Sequence, residues 1–415
     1  MKALIPTRAH GLEILDAFTS RAGEAYRRGR NFAPPPEGGG ASSLLSPYLQ
    51  RRLVSEEEVI RDVLKANSMP SAMPFIQEVL WRTYWKGWIN QHPGIWRVFL
   101  ERAHMLRASP PVSFFEAISG KTGIDCFDAW VVELLDSGYL HNHIRMWFAS
   151  IWIFTLKLPW ELGAEFFYRH LLDADPASNT LSWRWVAGLH TRGKHYLARA
   201  SNIAEFTSGR FPSTPGLAEN APAVAWDGLE DERVDPTRSP ASLEPLRRPR
   251  GKILERLGLL IYPEDLLMEK SEITHFPIRA ILVIDPSWAS LIIPSALQVA
   301  NWSRNALRDA AARAADHFGA TVEWLTPGDA DQAADLPLKV EAWRVAQRLD
   351  QVVTADPMVG PWQEVLRGLD PGHFFFNRRA YDVRLFPLAQ KGFFNFRKHF
   401  PDYLGTFTKA ANDQA

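Results

Sequence analysis

The apolar pattern of this 415-residue chain changes its period once, and that change restricts the fold to two kinds of layer. From Gly11 to Phe206 apolar residues recur every three or four positions, as in EEEVIRDVLKA, FIQEVLWRTYWKGWI and FDAWVVELLDSG, with Gly and Pro between the segments. This spacing gives each segment one apolar helical face, and no alternating strand run interrupts it. After Arg250 the apolar runs become short: GLLIY, AILVID, TVEWL, QVVTA and HFFFN. Amphipathic stretches such as ALQVANWSRNALRDAAARAADHFG and LKVEAWRVAQRL separate them. Strands alternating with helices predict a parallel, doubly wound sheet of Rossmann-like type. Between the halves, PSTPGLAENAPAVAWDGLEDERVDPTRSPASLEPLRRPR is rich in Pro, Ser and charge, and reads as a linker or a long surface excursion. The expected fold class is therefore α plus α/β. Its expected parts are a helical domain over 1–206, a linker over 207–252 and an α/β domain over 253–415. The length, beyond that of one ordinary core, agrees with this division.

Composition excludes several classes. Lys+Arg 47 balance Asp+Glu 47, so any grip on nucleic acid has to come from a local patch. The single cysteine, Cys126, allows no internal disulfide and no cysteine-ligated zinc or iron–sulfur cluster, which fits a reducing, cytoplasmic setting. MKALIPTRAH has no apolar core of a signal peptide, and the run MWFASIWIFTL is stopped by Lys157 and Pro159 short of a membrane span. A soluble protein with no membrane partner is expected. The α/β half lacks GxGxxG after its first strand, and the chain lacks GxxxxGK[ST], so a structural or partner-docking role is expected of that half.

Four stretches of the helical half carry groups with chemistry. GGGASSLLSPYL joins a glycine run to Ser42, Ser43 and Ser46, whose hydroxyls and amides could hold phosphate; a plain connecting loop explains it equally well. In QEVLWRTYW, Glu78 and Arg82 are four apart, as are Trp81 and Trp85; a surface ion pair beside a core tryptophan stripe is the plain account. His141, Asn142, His143 and Arg145 form one polar turn on an apolar helix, a costly arrangement unless they are paired. Two histidines two apart face different ways, so no metal site is expected there. Arg145 needs an anion, and LLDADPASNTLSWRW offers Asp173 and Asp175.

Taken in series, these stretches resemble the FAD-binding domain of DNA photolyases and cryptochromes. The likeness runs from about Tyr26 to about Trp185 through SSLLSP, QEVLWRTYW, GKTGIDCFDAWVVELLDSGYLHNHIRM, the PW ending at Trp160, and DADPASNTLSWRW. It implies an all-helical bundle holding a bent FAD. By position it implies that Tyr26, Ser42, Ser43, Leu45 and Ser46 line the adenosine and phosphates, and that Arg82 reaches the cofactor. It implies further that Asn142, Arg145, Asp173 and Asp175 surround the ring, with Arg145 paired to Asp173, and that Asn179 faces flavin N5. Asparagine there tilts the site toward a repair-type flavin environment, because it bonds to N5 without readily giving a proton.

The resemblance also supplies a substrate pocket, electron carriers and alternatives. Glu78, Trp81, Asn142, Met146 and Trp185 match the groups that cradle a flipped pyrimidine dimer, with DNA containing such dimers as the implied partner. His143 stands where arginine is commoner, which weakens that contact or makes it pH-sensitive. Trp183 and Trp160 match the first two members of a tryptophan electron chain, while the third position falls near Met105. The stretch LHTRGKHYLARASNIAEFTSGRF replaces the usual segment after WxW and is distantly similar to a helix of the iron–sulfur bacterial branch. The runs LGLLIYPEDLLMEK, RAILVIDPSW and HFFFNRRAYD resemble strands of the family's antenna domain, here placed after the flavin domain in permuted order. Three functions stay open at this point: light-driven dimer repair, a cryptochrome-like photoreceptor without repair, and a flavoprotein with another substrate. Oligomeric state and any antenna chromophore are not legible in the sequence.

Overall fold

The computed structural model describes residues 4–35, 38–191, 193–225 and 255–412. Its amino-terminal half is helical: α1 (Arg8–Thr19), α2 (Glu24–Gly29), α3 (Ser46–Gln50), α4 (Glu56–Ala66), α5 (Met69–Gln91), α6 (Pro93–Ala108), α7 (Val112–Ile118), α8 (Asp125–Ser137), α9 (Asn142–Ser150), α10 (Trp160–His170), α11 (Pro176–Val186) and α12 (Ala200–Phe206). The boundaries follow local chemistry. Ser55 and Glu58 form a reciprocal capping box that starts α4. Gly138 ends α8 in the left-handed conformation, φ 66°, which glycine adopts without a Cβ clash. After α9 the chain widens into a π turn, Ile151–Thr155, that carries Trp152.

The second half is a five-stranded sheet in which every pairing is parallel, with β1 (Leu257–Ile261), β2 (Ile278–Ile284), β3 (Thr321–Leu325), β4 (Gln351–Ala355) and β5 (Phe374–Asn377) in the order β3-β2-β1-β4-β5. All five expected apolar runs form strands. Central strands β1 and β4 are buried throughout, as a sheet covered on both faces requires. The helices α13 (Ser287–Ser290), α14 (Leu297–Phe318), α15 (Leu336–Ala346) and α16 (Pro361–Val365) follow the strands.

The two halves meet along a polar seam. Trp302 of α14 donates to Leu4 O at 2.8 Å, and Arg51 donates to Ser303 Oγ at 2.8 Å. Arg52 pairs with Asp382 at 2.6 Å, with Glu56 at 3.4 Å and with Asp265 at 3.6 Å, and Asp265 takes a second arginine, Arg379, at 2.7 Å. Buried charges survive here because each has an opposite partner.

Contacts cross both expected boundaries. After β5, α17 (Ala380–Leu385), α18 (Phe393–Phe396) and α19 (Phe400–Asn412) follow, and α17, α18 and the turn between them lie along α5 of the helical half. The hydroxyls of Thr83 and Tyr381 are 2.5 Å apart, and Gln91 donates to Phe386 O at 3.0 Å. Gly87 makes this approach feasible, since a Cβ there would lie 2.8 Å from Phe386 Cα. At the other boundary, residues 207–225 pack onto the helices: Phe211 meets the Trp130 ring, and the Ala218 amide donates to Thr155 Oγ1 at 3.0 Å. Residues 226–252, with the basic RRPRGK stretch, lie outside the described residues.

Candidate functional site

Two helix starts bring the polar residues together. His141 caps α9, its ring accepting from the His143 amide at 3.2 Å. Asp175 caps α11 and accepts from the Ser178 amide at 2.8 Å, ahead of a proline at the position where a helix needs no amide. The segments preceding these caps are locked side by side, because Leu172 N donates to Gly138 O at 2.8 Å.

Across this seam Arg145 Nη2 donates to Asp173 Oδ2 at 2.9 Å, while its Nε donates to Leu140 O at 2.8 Å. Burial pushes the Asp173 carboxyl up, but the Arg145 charge and hydrogen bond outweigh it and hold the group below the usual carboxylate range. The Ser46 hydroxyl beside it acts in the same direction. The other carboxylate oxygen, Asp173 Oδ1, is buried without a hydrogen-bond partner. Tyr139, which sequence reasoning passed over, lies beneath the Arg145 guanidinium at 5.5 Å, and the Ser42 hydroxyl touches its phenol. The Tyr26 phenol feels Glu78, Arg30 and Tyr139. Ser42, Ser46, Tyr139, Arg145 and Asp173 thus gather in one cluster, while the Tyr26 ring packs on Phe18 and Phe75. In the serine loop Ser43 Oγ accepts from Leu45 N at 3.3 Å, Leu45 is buried, and Leu44 holds φ 58°, an uncommon conformation for a residue with a side chain.

Asp175 belongs to a second cluster. Its carboxylate faces Arg82 Nη1 at 3.4 Å and Lys86 Nζ at 3.5 Å, two cations one turn apart on α5. Burial again pushes this carboxyl up, and Lys86 followed by Arg82 brings it down, to below its ordinary value. Glu78 does not pair with Arg82; it takes Arg30 at 2.8 Å. Lys86 was legible as the residue four after Arg82, whereas Glu264 had no such signal. Glu264 lines a small cavity with Gln50, Lys86, Ile89 and Asp175, and burial pushes its pKa up to about 8.

The remaining expected residues divide. Asn179 Nδ2 donates to Ala164 O at 2.7 Å. Asn142 is exposed, with its amide nitrogen 3.9 Å from Met146 Sδ. His143 bonds Asn31 O at 2.8 Å and stacks on Trp147. The ring centroids of His141 and His143 are 6.5 Å apart, and among the described residues no group of three His, Cys, Asp or Glu side chains is placed to hold a metal. Trp81 is stacked by Phe393, centroids 3.5 Å apart, and Trp185 by Tyr196 at 5.8 Å. Trp183 makes ring contact with Trp152, Phe148 and Phe167, while Trp160 meets Phe99; no ring contact joins Trp183 to Trp160 among the described residues. Met105 is 65% exposed.

Residues 75–209 match the family model described as the FAD binding domain of DNA photolyase. Over that segment the helical half is similar to the photolyase/cryptochrome family. The deoxyribodipyrimidine photo-lyase of Alkalihalophilus pseudofirmus is 32% identical over 190 residues, covering 45% of this chain and 39% of that protein. The enzyme of the same name from Escherichia coli is 30% identical over 191 residues, covering 44% and 39%. Among solved structures, a bacterial class III photolyase from Agrobacterium tumefaciens aligns at 28% identity and TM-score 0.42, over 49% of this chain and 43% of that one. A Synechocystis cryptochrome aligns at 25% identity and TM-score 0.42, over the same shares. The chain thus spans about two fifths of the length of the curated relatives it matches.

The residues present fit a photolyase-type FAD. The buried, unpartnered Asp173 Oδ1 can accept a ribityl or ring donor, and the half-exposed Ser42, Ser43 and Ser46 hydroxyls share its surroundings. Among the described residues no helix is long and apolar enough to cross a membrane.

Proposed function

We propose that the helical half binds FAD and uses blue light to move electrons through the protein. The observation that carries this reading is the Arg145–Asp173 pair, with one carboxylate oxygen unpartnered and the serine loop beside it, inside a segment that matches the photolyase FAD-binding model. Tyr26, Ser42, Ser43, Leu45 and Ser46 would hold the adenosine and phosphates. Arg82, Asn142, Arg145, Asp173 and Asp175 would fix the remainder, with Asn179 at N5. Bound FAD supplies light absorption and one-electron chemistry; the protein supplies orientation and a charged frame. The parallel sheet would stand as the antenna domain in permuted order. The expected setting is soluble and cytoplasmic.

Between repair and signalling, the geometry favours a cryptochrome-like photoreceptor. Three of the groups expected to receive a flipped dimer already have a partner from the chain itself: Phe393 on Trp81, Tyr196 on Trp185, Arg30 on Glu78. Repair is the second reading, supported by the similarity to deoxyribodipyrimidine photo-lyases and by the presence of Glu78, Trp81, Asn142, His143, Met146 and Trp185 together. One preparation tests both. A colourless protein that takes up no added FAD removes the whole assignment. A yellow protein that, under light, leaves dimers intact in single-stranded and duplex DNA supports the photoreceptor; dimer loss establishes repair.

A further inference from the structure

Among the described residues the indole in ring contact with Trp183 is Trp152, not the expected relay partner Trp160. On α11 Asn179 and Trp183 are four apart and share one face, so Trp183 lies directly behind the position assigned to flavin N5. Of the rings that touch Trp183, Phe148 and Phe167 resist one-electron oxidation, which leaves Trp152. The two indoles meet edge to face, centroids 6.2 Å apart and planes at 85°. Gly163 of α10 creates the space. A Cβ there would lie 2.4 Å from Trp183 Cη2 and 2.9 Å from Trp152 Nε1, so any side chain would push the pair apart. Trp152 stands in the π turn after α9, a local distortion found often at functional sites.

We propose that Trp152 is the electron donor to Trp183, a relay residue that the linear tryptophan series does not contain. The proposal rests on the flavin reading above. Trp183 gives one electron to the light-excited oxidised flavin. Trp152 then gives one electron to Trp183, which becomes neutral again, and the hole resides on Trp152. Its proton stays in place, because Nε1 donates to Pro159 O at 2.9 Å and the side chain is fully buried, away from water that could accept it. The hole therefore returns to the flavin unless an external thiol supplies one electron. Burial sets the consequence: the separated charges are short-lived by design of the core, in contrast to a chain that ends at the surface.

The test uses the full chain loaded with FAD, with Trp152→Phe, Trp160→Phe and Trp183→Phe, and records the indole radical absorption and its decay after a flash. Trp183→Phe should abolish the signal, Trp152→Phe should shorten its lifetime several-fold, and Trp160→Phe should leave it near that of the parent. Gly163→Ala keeps both indoles but separates them, and should reproduce the Trp152→Phe decay if that variant does not fold. A parent-like decay in Trp152→Phe together with a short one in Trp160→Phe overturns the proposal. An unchanged signal in Trp183→Phe instead overturns the reading on which it rests. In flavin-free protein, near-ultraviolet circular dichroism of Trp152→Phe, Trp183→Phe and the double variant should be non-additive; strict additivity also overturns the proposed pair.

Discussion

Phe393 lies face to face on Trp81, with ring centroids 3.5 Å apart and planes within 8° of parallel. Phe393 is buried, yet it belongs to a short helix that follows the sheet, so the last part of the chain completes the helical half. Replacing Phe393 by Ala should destabilise the protein by about 3–5 kcal/mol, the usual cost of emptying a phenylalanine site. It should also expose Trp81 to acrylamide quenching. A stable variant with unaltered quenching would show that the stack does not exist in solution.

The seam between the halves gives a second expectation. Arg52 is buried among Asp382, Glu56 and Asp265, and Arg379 also faces Asp265. Arg52→Met leaves these carboxylates short of positive charge in a place water hardly reaches. The expected cost is about 3–5 kcal/mol, concentrated at the junction. Calorimetry should then resolve two unfolding transitions where the parent shows one, since the halves lose their coupling before either loses its own core. A single transition merely shifted downward would place the coupling elsewhere, in the Trp302–Leu4 and Arg51–Ser303 contacts.

Periodicity revealed the layers well. All five strands followed from runs that act within a few residues of one another. The pairing of Arg145 with Asp173 was also legible, through the resemblance, because the segments carrying them keep their order. What stayed hidden depends on distant chain. No local signal tells that Phe393 reaches Trp81, that Glu264 approaches Lys86, or that Gly163 lets Trp152 and Trp183 touch. Asp175 is of the same kind: its extended backbone turns the carboxylate toward Arg82 and Lys86 of α5, a neighbourhood that its spacing from Asp173 does not announce. Within the expected linker, residues 207–225 pack onto the helices, which a Pro- and Ser-rich composition does not exclude.

Glu264 predicts a pH dependence of definite sign. Its folded pKa lies at about 8, raised by burial above an unfolded value of about 4.3. Between those values the folded protein holds a proton that the unfolded chain has released, so stability falls as pH rises, by up to about 1.4 kcal/mol per pH unit for one group. Above the folded value the slope disappears. Glu264→Gln removes this dependence, so it should gain on the parent from pH 5 to pH 8 in thermal melts. Parallel melting curves across that range would mean that Lys86, which lines the same cavity, neutralises the carboxylate instead.

Asp173 predicts the opposite sign. Its folded pKa is held below the unfolded value of about 3.9, so its contribution is present above that value and is lost as pH falls through the folded one. Asp173→Asn should therefore flatten the acid limb of the stability profile while lowering stability at pH 7. Arg145→Met is the more damaging change, because it strands a buried carboxylate; about 3–5 kcal/mol is expected at pH 7, and less near pH 4, where the carboxylate can accept a proton. Combining the two substitutions should recover part of that loss, since the stranded charge is then gone. Chemical denaturation of the three variants at pH 7 and pH 4 decides the matter. Additive losses with no pH dependence would show that the pair is too well hydrated to order the site, and the unpartnered Asp173 oxygen could not then serve as a preformed acceptor for FAD.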